Sequence, residues 1–400
     1  MSPARARSGP KSHRAYNLDR VVAAVRERGA VTRADLERMT ELSRATVAAL
    51  VARLIDDGTL RELPPDGQGD TSTGPGRPPA RLALTESAGL VSGMAFGHGD
   101  LRVAVATLSG EVLAERHVGL AVDNSVAAAL DTAAGEFSAV LREIGHVAED
   151  VSNVVVGLPA PLDRRTGRVV VNNILPGWVD LDPAGGLEER IGRPVFPENA
   201  VNLGAIGEMT YGAGTGLHDL VFVKVSTGVG AGLIFDGRLY RGASGYAGEL
   251  GHVQVEANGL LCRCGSRGCL ETLVSTPHII AALQPMHAEP LTTADVVRLL
   301  AAEDSGAVRV VGDAGRTIGR SLADMCNVLD PEVVIVGGEL SRPDGALADG
   351  IREAIARYAQ PGVARAVTVT TGTLENRAEL LGGIALAVQR AGDPARAALG

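Results

Sequence analysis

Residues 248–271 have the sequence GELGHVQVEANGLLCRCGSRGCLE, and this segment is the strongest indicator of the fold. It contains one histidine and three of the chain's four cysteines, which are His252, Cys262, Cys264 and Cys269. Three thiolates and one imidazole fill the tetrahedral coordination that Zn²⁺ prefers, and the glycines at 265 and 268 allow the tight turn that such a site needs. The segment therefore predicts one structural zinc ion per chain. A redox-active pair and free thiols are the alternatives.

The sequence around this segment has the pattern of an α/β protein. Short apolar segments alternate with amphipathic helical stretches from residue 88 onward. The predicted strands include 91–95, 102–108, 151–157, 220–225 and 332–336, and the predicted helices include 125–144, 295–300 and 345–358. We expect an α/β body over residues 88–400.

Composition limits the class of protein. The chain has 400 residues, of which 45% are hydrophobic, so it can form ordinary cores, and four cysteines are too few for a disulfide scaffold. No apolar run is long enough for a membrane span, and the N-terminus lacks the apolar stretch of a signal peptide. These features predict a cytoplasmic protein without a membrane partner.

Charge is distributed unevenly along the chain. Residues 1–55 hold 11 Lys and Arg against 5 Asp and Glu, although the whole chain has a net charge of −9. A basic end on an acidic body is typical of a protein whose N-terminal part binds nucleic acid. A solvated basic tail would have the same composition.

Residues 17–58 predict three short helices of a helix-turn-helix domain. Thr32 and Ser43 are expected caps of the second and third helices, and the third has an apolar stripe that ends before Gly58. The outward face of that third helix carries the candidate DNA contacts, which are Ser43, Arg44, Ala45, Thr46, Ala49 and Arg53. Small side chains there allow the helix to approach base edges. A plain three-helix bundle is the alternative.

Two short predicted strands, 59–63 and 81–84, flank a segment rich in Pro and Gly at 64–80. This layout predicts a wing that continues into a linker, and so a DNA-binding domain over residues 1–85. Within it, Pro75-Gly76-Arg77-Pro78 is similar to the Gly-Arg-Pro core of segments that place an arginine in an A·T minor groove. Arg77 is therefore a candidate DNA contact, although an ordinary linker also fits.

Six motifs in order make the chain resemble the ROK family of repressors, open reading frames and kinases. They are Gly157-Leu-Pro-Ala-Pro-Leu-Asp163, Glu198-Asn-Ala-Val-Asn202, Thr227-Gly-Val-Gly-Ala-Gly232, Gly248-Glu-Leu-Gly-His252, the cysteine turn, and Val336-Gly-Gly338. The resemblance implies a two-lobed sugar-kinase and actin-like (ASKHA) α/β fold with a ligand cleft between the lobes. An N-terminal winged helix-turn-helix is the mark of the family's repressor branch.

The resemblance also indicates that catalysis has been lost. The family's kinases carry a carboxylate in the first phosphate loop and another after Glu-Asn, and here these positions are Ala95 and Ala200. We expect Asp100, which stands further along the first loop, to repel a nucleotide. The glycine loop at 227–232 is intact, but such a loop also serves as a plain turn.

Positions that contact the sugar in this family are better preserved, and they are Asn199, Glu249, His252 and Glu271. The resemblance implies that His252 uses one ring nitrogen for zinc and the other for the sugar. The alternative is that these four residues are relics of a kinase ancestor and that the cleft binds nothing.

Together these features predict a DNA-binding regulator, a repressor of carbohydrate-related genes. Its expected partners are a double-stranded DNA operator, a sugar or sugar derivative as effector, and further copies of itself in a homodimer or homotetramer. A sugar kinase with an appended DNA-binding domain and a regulator controlled by a protein partner are the competing hypotheses.

Overall fold

The computed structural model describes residues 13–63, 80–85, 88–123, 125–169, 174–175, 177–179, 181–341 and 345–392. In these ranges the chain forms an N-terminal helical domain and two α/β lobes, as predicted. No helix among the described residues combines the length and the apolar composition that a membrane span needs.

The N-terminal domain is a winged helix-turn-helix. Its helices are α1 (His13–Arg28), α2 (Arg33–Thr40) and α3 (Arg44–Asp56), and its strands are β1 (Val31–Thr32), β2 (Leu60–Leu63) and β3 (Arg81–Leu84). The sheet has the order β1-β3-β2, and β2 pairs with β3 in antiparallel register. Residues 64–79, which include Arg77, lie outside the described residues.

Local sequence signals explain where these helices begin. The Thr32 side chain accepts a hydrogen bond from the backbone N–H of Asp35, whose carboxylate bonds back to Thr32 in a capping box. Ser43 caps α3 by accepting from the N–H of Thr46 at 3.2 Å. Both predicted caps are confirmed.

The first lobe, called the N-lobe below, is a five-stranded sheet with two helices. Its strands are β4 (Leu90–Phe96), β5 (Asp100–Thr107), β6 (Val112–Gly119), β7 (Val151–Leu158) and β8 (Val195–Asn199), and its helices are α4 (Val126–Glu143) and α5 (Pro183–Ile191). The strand order is β6-β5-β4-β7-β8, with β4 to β6 antiparallel and β7 and β8 parallel to β4. The edge strand β8 ends at Asn199, at the mouth of the cleft.

The second lobe, called the C-lobe, has the same sheet topology. Its strands are β9 (Leu220–Val225), β10 (Val229–Phe235), β11 (Arg238–Leu239), β12 (Val333–Gly337) and β13 (Thr368–Thr371), in the order β11-β10-β9-β12-β13. The remaining helices are α6 (Ala200–Tyr211), α7 (Glu271–Val274), α8 (Thr276–Leu283), α9 (Thr293–Ala301), α10 (Ser305–Leu329), α11 (Ala346–Tyr358), α12 (Pro361–Ala366) and α13 (Ala378–Gly392). Two topologically equivalent lobes facing each other create the cleft.

Helices α6 and α13 pack against each other between the lobes, α6 on strands β9 and β10 and α13 on strands β4 and β7. Glycines make this close approach possible. A Cβ atom on Gly382 would lie 1.8 Å from the carbonyl oxygen of Leu203, and one on Gly207 would lie 2.2 Å from that of Ala378. The helix pair is therefore a tight connection between the two halves of the body.

The N-terminal domain packs directly on the N-lobe and on α13. Val21 and Val25 of α1 belong to the same buried core as Ala387 of α13. The Arg26 guanidinium donates to the carbonyl of Ala391 at 3.3 Å, at the C-terminal end of α13. One helix thus contacts both the cleft-forming lobes and the helix-turn-helix.

Candidate metal centre and ligand cleft

The predicted zinc ligands converge. One ligand atom from each of His252, Cys262, Cys264 and Cys269 lies within 4.8 Å of the other three. The His252 Nδ1 atom is 3.6 Å from the Cys262 sulfur, and the Cys264 and Cys269 sulfurs are 3.7 Å apart. Tetrahedral Zn²⁺ with ordinary bond lengths requires edges of about 3.6 Å for N–S and about 3.8 Å for S–S. The donor set therefore fits one zinc ion.

The turn that carries the cysteines depends on its glycines. Gly265 and Gly268 have φ values of 92° and 64°, in the left-handed region. A Cβ atom on Gly268 would lie 1.7 Å from the carbonyl oxygen of Glu256, so only glycine fits there. The Cys262 N–H donates to the Ser266 carbonyl at 2.7 Å, which closes the turn.

The thiols differ in their ease of deprotonation. Burial raises the pKa values of Cys262 and Cys269. Burial also acts against the Cys264 thiolate, but hydrogen bonds from Ser266 and from the neighbouring thiols outweigh it and lower the pKa of Cys264. Three adjacent thiolates, two of them buried, are stable only beside a cation, because an uncompensated buried charge is costly.

His252 lies between the metal centre and the cleft. Its Nδ1 atom is directed at the cysteines, and its Nε2 atom is 3.6 Å from a carboxylate oxygen of Glu249. Burial lowers the pKa of His252, and the Glu271 carboxylate partly offsets this. A neutral ring of this orientation can ligate zinc through one nitrogen and donate a hydrogen bond into the cleft through the other.

The two glutamates of the predicted sugar site have different surroundings. Burial, with a smaller contribution from Glu271, raises the pKa of Glu249 to about 7. Glu271 is 5% exposed, and one of its oxygens is 3.2 Å from the Nε atom of Arg263. Arg263 also donates to the carbonyl of Thr227 at 2.9 Å. Near neutral pH, Glu249 can donate as well as accept, whereas Glu271 is held beside a permanent cation.

Arg263 is a site residue that the sequence analysis did not identify. It stands between two predicted zinc ligands, and its side chain links the zinc turn to Glu271 and to the glycine loop at Thr227. The only signal in the sequence was its position between Cys262 and Cys264, which does not indicate the direction of the side chain.

Asn199 has a second task besides its predicted sugar contact. Its Oδ1 atom accepts from the N–H groups of Val201 and Asn202 and so caps α6, and its Nδ2 atom donates to the Ala160 carbonyl at 3.1 Å. One amide hydrogen remains for a ligand. Asn199 lies in the same cleft as Glu249, His252 and Glu271.

The cleft between the lobes has a volume of about 520 Å³. Ala95 and Ala200 both line it, where the resemblance places the two lost carboxylates. Asp100 also lines it, but its carboxylate is 3.0 Å from His117 Nε2 and 3.9 Å from Arg102 Nε. The charge that was expected to repel a nucleotide is therefore partly balanced by these neighbours.

The glycine loop has a structural explanation. Gly230 and Gly232 belong to strand β10, which α6 covers. A Cβ atom on Gly232 would lie 2.6 Å from the Ala205 side chain and 2.8 Å from the Val201 carbonyl oxygen. Gly232 is thus required for helix packing, which favours the interpretation of this loop as a plain turn.

The candidate DNA contacts that the structure describes lie on one side of α3. Ser43, Arg44, Ala45, Ala49 and Arg53 are exposed, and Thr46 is half-buried beside the cap. Val47, Leu50 and Leu54 are buried on the opposite side. The exposed side of α3 therefore carries small alanine side chains between Arg44 and Arg53.

Comparison with known proteins agrees with this architecture. The sequence model of the protein family described as "ROK family" matches residues 91–390. The xylose repressor of Bacillus spizizenii is 27% identical over 352 residues, covering 88% of this chain and 89% of that protein. A solved ROK family transcriptional regulator, a homologue of Escherichia coli Mlc, is 26% identical with a TM-score of 0.72 and covers 94% of this chain and 96% of that one.

An enzyme structure is also similar over the lobes. The ROK family glucokinase from Streptomyces griseus, in complex with glucose and AMPPNP, is 29% identical with a TM-score of 0.64. This similarity covers 75% of this chain and all of that one. Since the family model matches 300 of the 400 residues and the two-lobed fold agrees with it, the chain belongs to the ROK family.

Proposed function

We propose that this chain is a DNA-binding transcriptional repressor of carbohydrate-related genes and that its cleft binds a sugar or sugar derivative as effector. The extent of the two structural similarities carries this proposal. The regulator covers 94% of the chain, which includes most of the winged helix-turn-helix, whereas the glucokinase covers only 75%. The similarity to the relative named xylose repressor likewise covers 88% of this chain.

The packing of α13 supports a connection between the effector and DNA. At its first turn Glu379 lines the cleft and lies 2.5 Å from the Lys224 ammonium of strand β9. At its last turn the carbonyl of Ala391 accepts from Arg26 of α1. A change in lobe angle that moves α13 would therefore change the orientation of the helix-turn-helix, and effector and operator would alter each other's affinity by the same factor.

The metal centre has a structural role in this proposal. We infer that His252, Cys262, Cys264 and Cys269 hold one Zn²⁺ per chain, since the four donors leave no position open for a substrate. The bound ion would keep the turn rigid and so fix His252 and Glu271 at the cleft. We also infer that two or four copies of the chain assemble in the cytoplasm to bind a two-part operator. Light scattering can measure the number of copies in the assembly.

Kinase activity is expected to be absent. Ala95 and Ala200 cannot bind Mg²⁺ or accept a proton, and a positioned base alone is worth about 10² to 10⁴ in rate. A coupled ADP-release assay with hexoses, pentoses and amino sugars tests this. Sugar-dependent turnover of about 1 s⁻¹, within the range of kinases, would favour the rival hypothesis of a kinase with an appended domain.

DNA binding is expected to depend on Arg44, Arg53 and Arg77 in different ways. Arg44 lies in the first turn of α3, where base edges are within reach, so Arg44→Ala should lose both affinity and specificity. Arg53 is further along the helix, and Arg53→Ala should weaken binding to all sequences about equally and reduce the salt dependence. Arg77→Ala should matter most on operators with an A·T-rich minor groove.

Anisotropy titrations of these three variants at two salt concentrations separate the three roles. The DNA is the fragment that the wild-type protein selects from a random pool, with a G·C-substituted version beside it. Arg190→Ala on α5, outside the helix-turn-helix, is the control and should bind DNA as the wild type does. Equal binding by Arg44→Ala and wild type would refute α3 as the recognition helix.

A further inference from the structure

The predicted sugar site accounts for only part of the cleft lining. Glu249, His252 and Glu271 lie on or beside the zinc turn, whereas the same cavity is also lined by Asp100, by Lys224 of β9 and by Glu379 at the start of α13, a cluster called the far end below. The cavity's volume of about 520 Å³ is that of a pocket for a drug-sized ligand, which is larger than a monosaccharide. The proposed function does not account for the remaining space.

Two alanines also line the cavity. Ala95 is at the end of strand β4 and Ala200 is the first residue of α6, and their side chains are small and 8% and 4% exposed. Carboxylates at these positions would project into the cavity and would need either a cation or water as partner. The alanine methyl groups leave an uncharged passage that a glycosidic linkage can cross.

The N-lobe side of the far end carries polar groups that are paired with one another. Asp100 lies 3.0 Å from His117 and 3.9 Å from Arg102, and His98 lies 2.9 Å from Asp123. Such pairs hold donors and acceptors in fixed directions, as the recognition of neutral hydroxyl groups requires. Their side chains are partly exposed and can therefore contact a ligand.

The C-lobe side continues this arrangement. The Lys224 ammonium is 2.5 Å from Glu379 and retains two further hydrogens, and Ser226 lines the cavity beside it. Burial disfavours the Lys224 cation, but Glu379 outweighs this and raises the pKa of Lys224. The far end is thus polar on both sides.

The sign of the charge decides which ligands fit. Among the described residues that line the cavity, six are acidic and three are Lys or Arg. Phosphorylated sugars and nucleotides would meet a net excess of acidic groups, even though Asp100, Glu271 and Glu379 each lie beside a basic side chain. Uncharged ligands meet no such repulsion.

We propose that the effector is an uncharged oligosaccharide of at least two units, with one unit at the zinc-turn end and the next at the Asp100–Lys224 end. This inference rests on the proposed function and specifies its effector. The first unit contacts the four predicted sugar residues, the linkage passes Ala95 and Ala200, and the second unit contacts Asp100, His117 and Lys224.

Calorimetric titrations of the full-length protein with matched sugars test this: xylose against xylobiose, and glucose against cellobiose and maltose. We expect one disaccharide to bind at least about tenfold more tightly than its monosaccharide, the effect of one or two added hydrogen bonds. Glucose 6-phosphate should bind no better than glucose.

One variant locates the second unit. His117→Ala removes a partly exposed side chain at the far end. It should weaken disaccharide binding to the level of the monosaccharide and leave monosaccharide binding unchanged.

A monosaccharide that binds as tightly as every disaccharide and changes operator affinity would overturn this inference and leave the proposed function intact. Equal weakening of both sugars by His117→Ala would also overturn it. A wild-type protein that binds no carbohydrate would overturn both.

Discussion

Cys269→Ser is expected to abolish zinc binding and to lower the free energy of unfolding of the C-lobe by more than about 4 kcal/mol, the range of mutations that remove a metal. Cys269 is fully buried, and its sulfur is 3.7 Å from that of Cys264. A serine hydroxyl is a poor zinc ligand, so the variant would leave the other donors without a common partner. Elemental analysis and urea denaturation measure the two effects.

The fourth cysteine provides a matched control. Cys326 is fully buried in α10, away from the metal centre, and burial raises the pKa of its thiol to about 11. Cys326→Ala should retain one zinc per chain and lose only the small stability of a trimmed core side chain. Full zinc content in Cys269→Ser would contradict the assignment of the four zinc ligands. A wild-type protein that is folded without metal and has three reactive thiols would contradict it as well.

Glu271→Ala is expected to reduce effector affinity about 100-fold or more, because hydrogen bonds to a charged group are worth about 1.5 to 3 kcal/mol each. The carboxylate lies beside Gly228 and is oriented by Arg263 at 3.2 Å, so it is positioned before a ligand enters. Calorimetry with the carbohydrate that most stabilises the wild type measures the change.

Two comparisons show that this loss arises in the cleft. Glu271→Gln keeps the shape and one acceptor, so it should lose less affinity than Glu271→Ala. Glu256→Ala removes an exposed acidic side chain from the same turn and should bind the effector normally. Because Glu271 is not one of the four zinc donors, both Glu271 variants should keep their metal. If Glu271→Ala binds the effector with the affinity of the wild type, Glu271 is not part of the effector site.

Local structure was predictable because its causes are local. The caps at Thr32 and Ser43 depend on residues three positions apart, and the strand at 220–225 is a short apolar run bounded by turns. Elsewhere the boundaries shift by one or two residues, as at 332–336, where the strand is Val333–Gly337. The zinc donors were recognisable because three of them lie within eight positions.

Relations between distant segments could not be predicted from one sequence. The two lobes have equivalent strand orders, but their sequences show no repeat, because the sheets share a topology and not side chains. The ion pair of Lys224 with Glu379 joins residues far apart in the chain, and the second role of Asn199 as a helix cap depends on where α6 begins. These contacts arise only when the lobes pack around α6 and α13.

The central claim is that one protein binds both operator and sugar and couples them. The most direct test measures the dissociation constant of the selected operator without and with saturating carbohydrate, and that of the carbohydrate without and with saturating operator. We predict that both constants change by the same factor, of about 5 to 150, and that Glu271→Ala loses the effect. Operator binding that no carbohydrate alters, in a protein that binds that carbohydrate, would contradict the account.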